Sequence, residues 1–130
     1  MDSGMLRRLG RLAEVRKARD LARLEALMNR DRALEQEIRT LGATGSLDLA
    51  SGFAALPPAQ QGLRQAWATH RITGARKARA ALAPEIAAAR AAATVSLGKH
   101  EALGTLAERA EREAAALRAA RAEAEGMPFG

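Results

Sequence analysis

Apolar side chains recur three and four residues apart from about Gly4 to Leu41, with charged residues between them. This period matches one face of an amphipathic α-helix. The pattern predicts a heptad seam at Leu24, Leu27, Asp31, Leu34, Ile38 and Leu41, extended less regularly through Leu6, Leu9, Leu12, Val15 and Leu21. We expect one long helix over residues 4–41, with Ser3 as its N-cap and Gly42 as its C-terminal stop.

Residues 42–57 interrupt the helical pattern. Gly42 and Gly45 lie close together, and the pair Pro57-Pro58 follows them. Glycine and proline at this density favour a turn or loop. We expect the chain to reverse direction here, with room for one short helical turn capped by Ser46.

A second, alanine-rich helical pattern covers residues 58–125. Its seam is predicted at Leu103, Leu106, Ala110, Leu117, Ala120 and Ala124. Pro84 lacks an N–H and crowds the preceding turn, so a kink is expected there. If the helix breaks at Pro84 instead, the same residues form a three-helix bundle.

Three glycines weaken the second helix, Gly74, Gly98 and Gly104, each by about 1 kcal/mol relative to alanine. They are either tolerated positions on a lightly packed face or sites of bending and close helix contact. We favour tolerated positions.

Composition supports an all-α fold over a sheet. Alanine, leucine, arginine and glutamate dominate, and aromatic residues make up 2% of the chain. These abundant residues lose little side-chain entropy in a helix. The fold class predicted is an antiparallel two-helix coiled-coil hairpin, a single domain over residues 1–130 with its second helix kinked near Pro84.

Residues that carry catalysis or bind metal are scarce. The chain has no cysteine, and His70 and His100 lack a second imidazole one turn away, so no metal site is expected. No serine has a nucleophile-elbow context, and no glycine loop matches a phosphate-binding motif. We therefore expect no enzyme activity, no cofactor and no small-molecule ligand.

Frequent charges over residues 1–27 argue against a signal peptide or membrane span and favour the cytoplasm.

The net charge of +6 comes from the middle of the chain. Residues 60–100 contain seven basic residues and one acidic residue, Glu85. The basic surface predicted there comprises Arg64, Arg71, Arg76, Lys77, Arg79 and Arg90. Our first interpretation is contact with an acidic protein surface, which would orient and speed the encounter. Nucleic-acid binding ranks second, because aromatic platforms are missing and acidic residues flank the stretch.

Trp67 is the sole tryptophan, and it admits two interpretations. It is either a seam residue covering the Pro57-Pro58 bend or an exposed anchor for a partner. We favour the seam residue.

Two segments resemble a known family. The opening run from Leu6 to Ala22, LRRLGRLAEVRKARDLA, and the later run from Lys99 to Arg109, KHEALGTLAER, are similar to the flagellar export protein FliJ and to stalk proteins of related type III secretion systems. Proteins of that family open with a Leu-rich, Val-Arg-containing heptad helix. They end with a Lys-x-x-Glu-x-Leu type segment followed by Glu-Arg.

The resemblance implies an antiparallel coiled coil that works as a stalk or adaptor. In the family such a hairpin enters the pore of a hexameric export ATPase, promotes its assembly and activity, contacts the export gate and escorts chaperones. The implied location is cytoplasmic, peripheral to the membrane export apparatus. By matching position, the resemblance implies partner-binding residues at Leu6, Leu9, Leu12, Val15, Arg16, Leu103, Leu106, Glu108 and Arg109. A generic structural coiled-coil adaptor is a further alternative.

Overall fold

The chain forms two long α-helices, α1 (Ser3–Ala50) and α2 (Pro58–Gly126). The computed structural model describes residues 2–50 and 57–126, and the side chains of residues 2–43 and 57–126. No strand occurs within these described ranges. The predicted all-α helical hairpin is therefore confirmed.

The start of α1 is capped by Asp2, and the predicted N-cap at Ser3 is wrong. The Asp2 carboxylate accepts hydrogen bonds from the backbone N–H groups of Gly4 (2.6 Å) and Met5 (3.3 Å). The first turn of a helix leaves its N–H groups without intrahelical partners, and a carboxylate there also meets the positive end of the helix dipole. Ser3 is already inside the helix.

The end of α1 lies beyond the predicted stop. Gly42 is helical and α1 continues to Ala50, so the predicted bend does not begin at residue 42. One glycine costs a helix only about 1 kcal/mol. No proline stands between Gly42 and Pro57 to end the helix outright. Residues 51–56 of the predicted bend lie outside the described residues.

α2 begins at the proline pair and runs through Pro84 without a break. The carbonyl of Pro57 accepts hydrogen bonds from the N–H groups of Gln60 (2.9 Å) and Gln61 (3.1 Å). Pro58 takes the first helical position, where a missing N–H costs nothing. Since Pro84 lies inside one helix, the three-helix bundle is not formed by the described residues. The kink angle at Pro84 stays a prediction.

The chain divides into two compact units, and the single domain predicted over residues 1–130 stays a prediction. Unit 1 comprises Met1–Leu21 and Ala91–Gly130, and unit 2 comprises Ala22–Arg90. In each unit a segment of α1 lies against a segment of α2. In unit 1, Arg7 pairs with Glu111 and Asp20 with Ser96, so later α1 residues meet earlier α2 residues. In unit 2, Asp31 pairs with Arg79 and Glu37 with Arg71, in the same antiparallel sense.

The seam predicted for α1 in unit 2 is confirmed. Its members are half-buried at alternating three- and four-residue spacing: Leu24, Leu27, Asp31, Leu34, Ile38 and Leu41. The facing stripe of α2 has the same spacing: Ala68, Ile72, Ala75, Arg79, Leu82, Ile86 and Ala89. Three of its members are buried, Ala75, Leu82 and Ala89. Two stripes of this period pack as in a coiled coil.

In unit 1 the packed stripe differs from the predicted seam. On α1 it consists of Leu6, Gly10, Ala13, Lys17 and Asp20. On α2 it consists of Ala93, Ser96, His100, Leu103, Ala107, Ala110 and Ala114. Leu12, Val15, Leu21, Leu106 and Leu117 are instead exposed, as are Ala120 and Ala124, so their seam assignment is wrong. Asp20 and Ser96 pair within the packed stripe, and these exposed side chains lie outside it.

Candidate partner-binding groove

A groove of about 670 Å³ runs along one side of the helix pair in unit 1. We refer to it as the Leu12 groove. It is lined by Leu12, Ala13, Val15, Arg16 and Arg19 of α1 and by Ser96, Lys99, Ala102 and Leu103 of α2. The α1 positions 12, 15, 16 and 19 and the α2 positions 99, 102 and 103 each share one helical face. The two faces meet at the seam and leave a trough for a third element.

The floor of the Leu12 groove is apolar and exposed. Leu12 is 67% exposed and Val15 62% exposed, although both are among the larger apolar residues of α1. The seam beside them holds Gly10, Ala13 and Lys17 instead. Beside these small and polar seam positions, unit 1 presents Leu12 and Val15 outward.

The rim of the groove carries only positive charge. Arg16, Arg19 and Lys99 are all exposed, and none of the nine lining residues is acidic. Within residues 2–43 and 57–126 none of these three cations forms an ion pair. Two neighbouring grooves of unit 1 carry both signs, one with Arg7 and Glu111 and the other with Arg11 and Glu14. The Leu12 groove is therefore distinguished by an apolar floor between cations.

One residue that lines the Leu12 groove, Ser96, makes a polar contact with α1. Ser96 is 5% exposed, and its hydroxyl donates a hydrogen bond to the half-buried carboxylate of Asp20. A buried hydroxyl needs such a partner, because its hydration is lost on packing. The bond satisfies a polar pair between α1 and α2 that apolar periodicity did not reveal.

The structure divides the nine partner-binding residues implied by the resemblance. Leu12, Val15, Arg16 and Leu103 line the Leu12 groove together, although more than eighty positions separate Arg16 from Leu103 in the sequence. Leu6 is buried in the seam, and Leu9 is half-buried. The remaining three are exposed on α2: Leu106, Glu108 and Arg109. Sequence reasoning did not identify Arg19 and Lys99 as rim residues, because only the observed register brings them to one groove.

The predicted basic surface belongs to unit 2, and two of its members bind carboxylates of α1. Arg71 pairs with Glu37 at 2.8 Å, and Arg79 pairs with Asp31 at 2.9 Å. Arg76 and Lys77 are exposed, as are Arg64 and Arg90. The internal pairs reduce the positive charge that α2 can present to a partner.

The Asp31–Arg79 pair is bidentate. Arg79 donates through Nε to Asp31 Oδ1 (2.9 Å) and through Nη2 to Oδ2 (3.3 Å). The hydrogen bond from Arg79 lowers the pKa of Asp31, helped by the positive charge and opposed by partial desolvation. The same bond raises the pKa of Arg79. The pair fills two seam positions with a polar contact of fixed geometry.

Trp67 is 56% exposed, so the favoured seam interpretation is wrong. Its neighbour Ala68 takes the packed position. The guanidinium carbon of Arg71 lies 6.0 Å from the Trp67 ring centre, at the outer limit of a cation–π contact. The exposed-anchor interpretation remains.

All described side chains of α2 from residue 115 to residue 126 are exposed. Leu117 belongs to this segment and is 61% exposed. The segment therefore buries none of its described side chains.

Among the described residues, no group of three or more His, Cys, Asp or Glu side chains is arranged to hold a metal ion. No described helix is long and apolar enough to cross a membrane.

Comparison with protein-family models, with curated proteins and with solved structures found no match to this chain.

Proposed function

We propose that this chain is a helical stalk or adaptor of a flagellar-type protein export apparatus, where it binds and stimulates the hexameric export ATPase and contacts the export gate. The proposal places the protein in the cytoplasm, peripheral to the membrane export apparatus. Its mechanism involves docking and charge, with no covalent step.

The observation that carries the proposal is the meeting of two distant segments in unit 1. The resemblance rests on residues 6–22 and 99–109, and the antiparallel pairing brings Leu12, Val15 and Arg16 of the first beside Leu103 of the second. A stalk that acts through one paired end requires its partner-binding residues to lie together in this way. The helix pair is consistent with that requirement.

The exposed apolar floor adds a second line of support. An isolated coiled coil normally buries its leucines in the seam and presents charge outward. Here Leu12 and Val15 are exposed together in the Leu12 groove, which supports a surface that is covered by another protein.

The test is stimulation of the cognate export ATPase by the purified full chain. We expect the hydrolysis rate to rise with added protein and to reach a plateau set by ring stoichiometry. The variant Arg76→Glu/Lys77→Glu tests the predicted basic surface separately, since it reverses two exposed charges of unit 2 and leaves unit 1 intact. An unchanged hydrolysis rate at saturating protein would contradict the proposal.

This variant measures the role of the basic surface. If stimulation by Arg76→Glu/Lys77→Glu falls in proportion to the lost charge and vanishes in salt, the effect is non-specific electrostatics. If stimulation survives, docking depends on unit 1.

A further inference from the structure

We propose that the Leu12 groove is the docking site for an amphipathic helix of a partner protein, one with apolar residues on one face and acidic residues on both flanks. The inference deepens the proposed function, because it rests on that function for the identity of the protein that supplies the helix. The groove and its charges stand independently of that identity.

The shape of the groove selects a helix. Leu12, Val15, Arg16 and Arg19 have the i, i+3, i+4, i+7 spacing of one helical face over two turns of α1. The trough between two packed helices accepts a third helix by the same ridge-and-groove packing. The incoming helix would place its apolar residues on Leu12, Val15 and Leu103, as helix-in-groove recognition requires.

The charge of the rim selects acidic flanks. Arg16 and Arg19 stand on α1 and Lys99 stands on α2, so a helix in the trough lies between cations from both sides. Carboxylates on its two flanks would pair with them, whereas lysines there would be repelled.

A second copy of the chain fits the groove poorly. A two-fold dimer centred on the groove would appose each groove to its own copy. Arg16, Arg19 and Lys99 would then face identical cations in a partly desolvated contact. Like charges in that position oppose association.

Nucleic acid also fits poorly, because phosphate contacts use the cations and gain nothing from the floor. Leu12 and Val15 therefore discriminate between the two kinds of partner. A helix loses affinity when they are truncated, and a nucleic acid does not.

The probe is a fluorescein-labelled synthetic helix of three heptads, with leucine at positions a and d and glutamate at e and g. Two companion peptides carry lysine at e and g, or alanine at a and d. Fluorescence anisotropy with the full chain measures each affinity at low and high salt. We expect the glutamate peptide to bind at least about tenfold more tightly than either companion, with an on-rate that falls as salt rises.

The variants are chosen so that folding survives. Leu12→Ala/Val15→Ala changes two exposed side chains, and we expect about tenfold weaker binding of the glutamate peptide. Arg16→Glu/Arg19→Glu should weaken it by a similar factor and slow association. The matched controls are Leu63→Ala and Arg30→Glu, which alter an exposed leucine and an exposed arginine of unit 2 and should leave binding unchanged.

The inference would be overturned if the glutamate and lysine peptides bound equally well, or if Leu12→Ala/Val15→Ala bound the glutamate peptide as tightly as the parent. It would also be overturned if a DNA duplex bound more tightly than the peptide and with an affinity that this substitution leaves unchanged. A dimer in sedimentation that the substitution dissociates would overturn it as well. The export ATPase assay separates this failure from that of the proposed function. Stimulation that persists in Leu12→Ala/Val15→Ala retains the stalk role and rejects the groove. Peptide binding without stimulation retains the groove and rejects the stalk role.

Discussion

The hydroxyl of Ser96 donates a hydrogen bond to the carboxylate of Asp20, joining α2 to α1 within the packed stripe of unit 1. Both residues occupy positions where a coiled coil usually holds apolar side chains. A polar residue at such a position fixes register, because any shift leaves a polar group buried without a partner. This pair thereby keeps Leu12 and Val15 on the exposed face.

We expect a double-mutant cycle to detect coupling between Asp20 and Ser96. The substitutions are Asp20→Ala, Ser96→Ala and both together, and the free energy of unfolding in urea is the measurement. The coupling energy should be about 1 kcal/mol, the usual net contribution of such a bond. Additive single effects would show that the pair does not stabilise unit 1.

The acid dependence of stability should depend on Asp31. Its pKa is lowered in the folded state by the hydrogen bond from Arg79, while the unfolded chain has the ordinary value. The stabilisation is therefore complete above the ordinary pKa, and it is lost as pH falls through the folded-state pKa. We expect the Asp31→Asn variant to lose less stability than the parent between about pH 5 and pH 2.

Arg79→Met provides the control for this pH dependence. It removes the donor and leaves the carboxylate, whose remaining desolvation raises its pKa, so this variant should lose no more stability in acid than Asp31→Asn. The pair is partly exposed, and water and salt screen it, so both effects should shrink at high ionic strength. Parallel acid profiles for the parent and both variants would contradict the assignment.

Buried and exposed leucines of α2 should respond differently to truncation. Leu82 is 4% exposed and Leu63 is 72% exposed. We expect Leu82→Ala to reduce the free energy of unfolding by about 2–3 kcal/mol, since it removes packed methyl groups. Leu63→Ala should change it by less than about 0.5 kcal/mol. Equal losses would mean that α2 does not pack against α1 along the observed stripe.

Periodicity predicted the fold class and the seam of unit 2, where leucine and isoleucine occupy most of the α1 stripe. It failed in unit 1 because it assigns the largest apolar residues to the seam. There the seam holds Gly10, Ala13 and Lys17, which an apolar pattern does not mark as seam positions. The Asp20–Ser96 bond joins the two helices in the observed register, and the local sequence pattern does not reveal a hydrogen bond between residues so far apart.

The end of α1 was mispredicted for a related reason. A glycine after a periodic segment is a common helix stop, but it acts only when its backbone adopts the left-handed conformation. Gly42 remains helical and the chain continues to Ala50. Propensity sums of a few kcal/mol cannot decide between these outcomes without the surrounding structure.

The glycines inside α2 should be replaceable with a gain in stability. A Cβ added at Gly74 or Gly98 would meet nothing within 4 Å, which supports tolerated positions over close-contact sites. Alanine restricts the unfolded chain and favours the helix, so Gly74→Ala and Gly98→Ala should each raise the free energy of unfolding by up to about 1 kcal/mol. Gly4→Ala is the matched control, because its Cβ would lie 3.1 Å from the capping Oδ1 of Asp2 and should yield a smaller gain. A loss of stability in Gly98→Ala, measured by urea unfolding, would show that the backbone of α2 is not regular helix there.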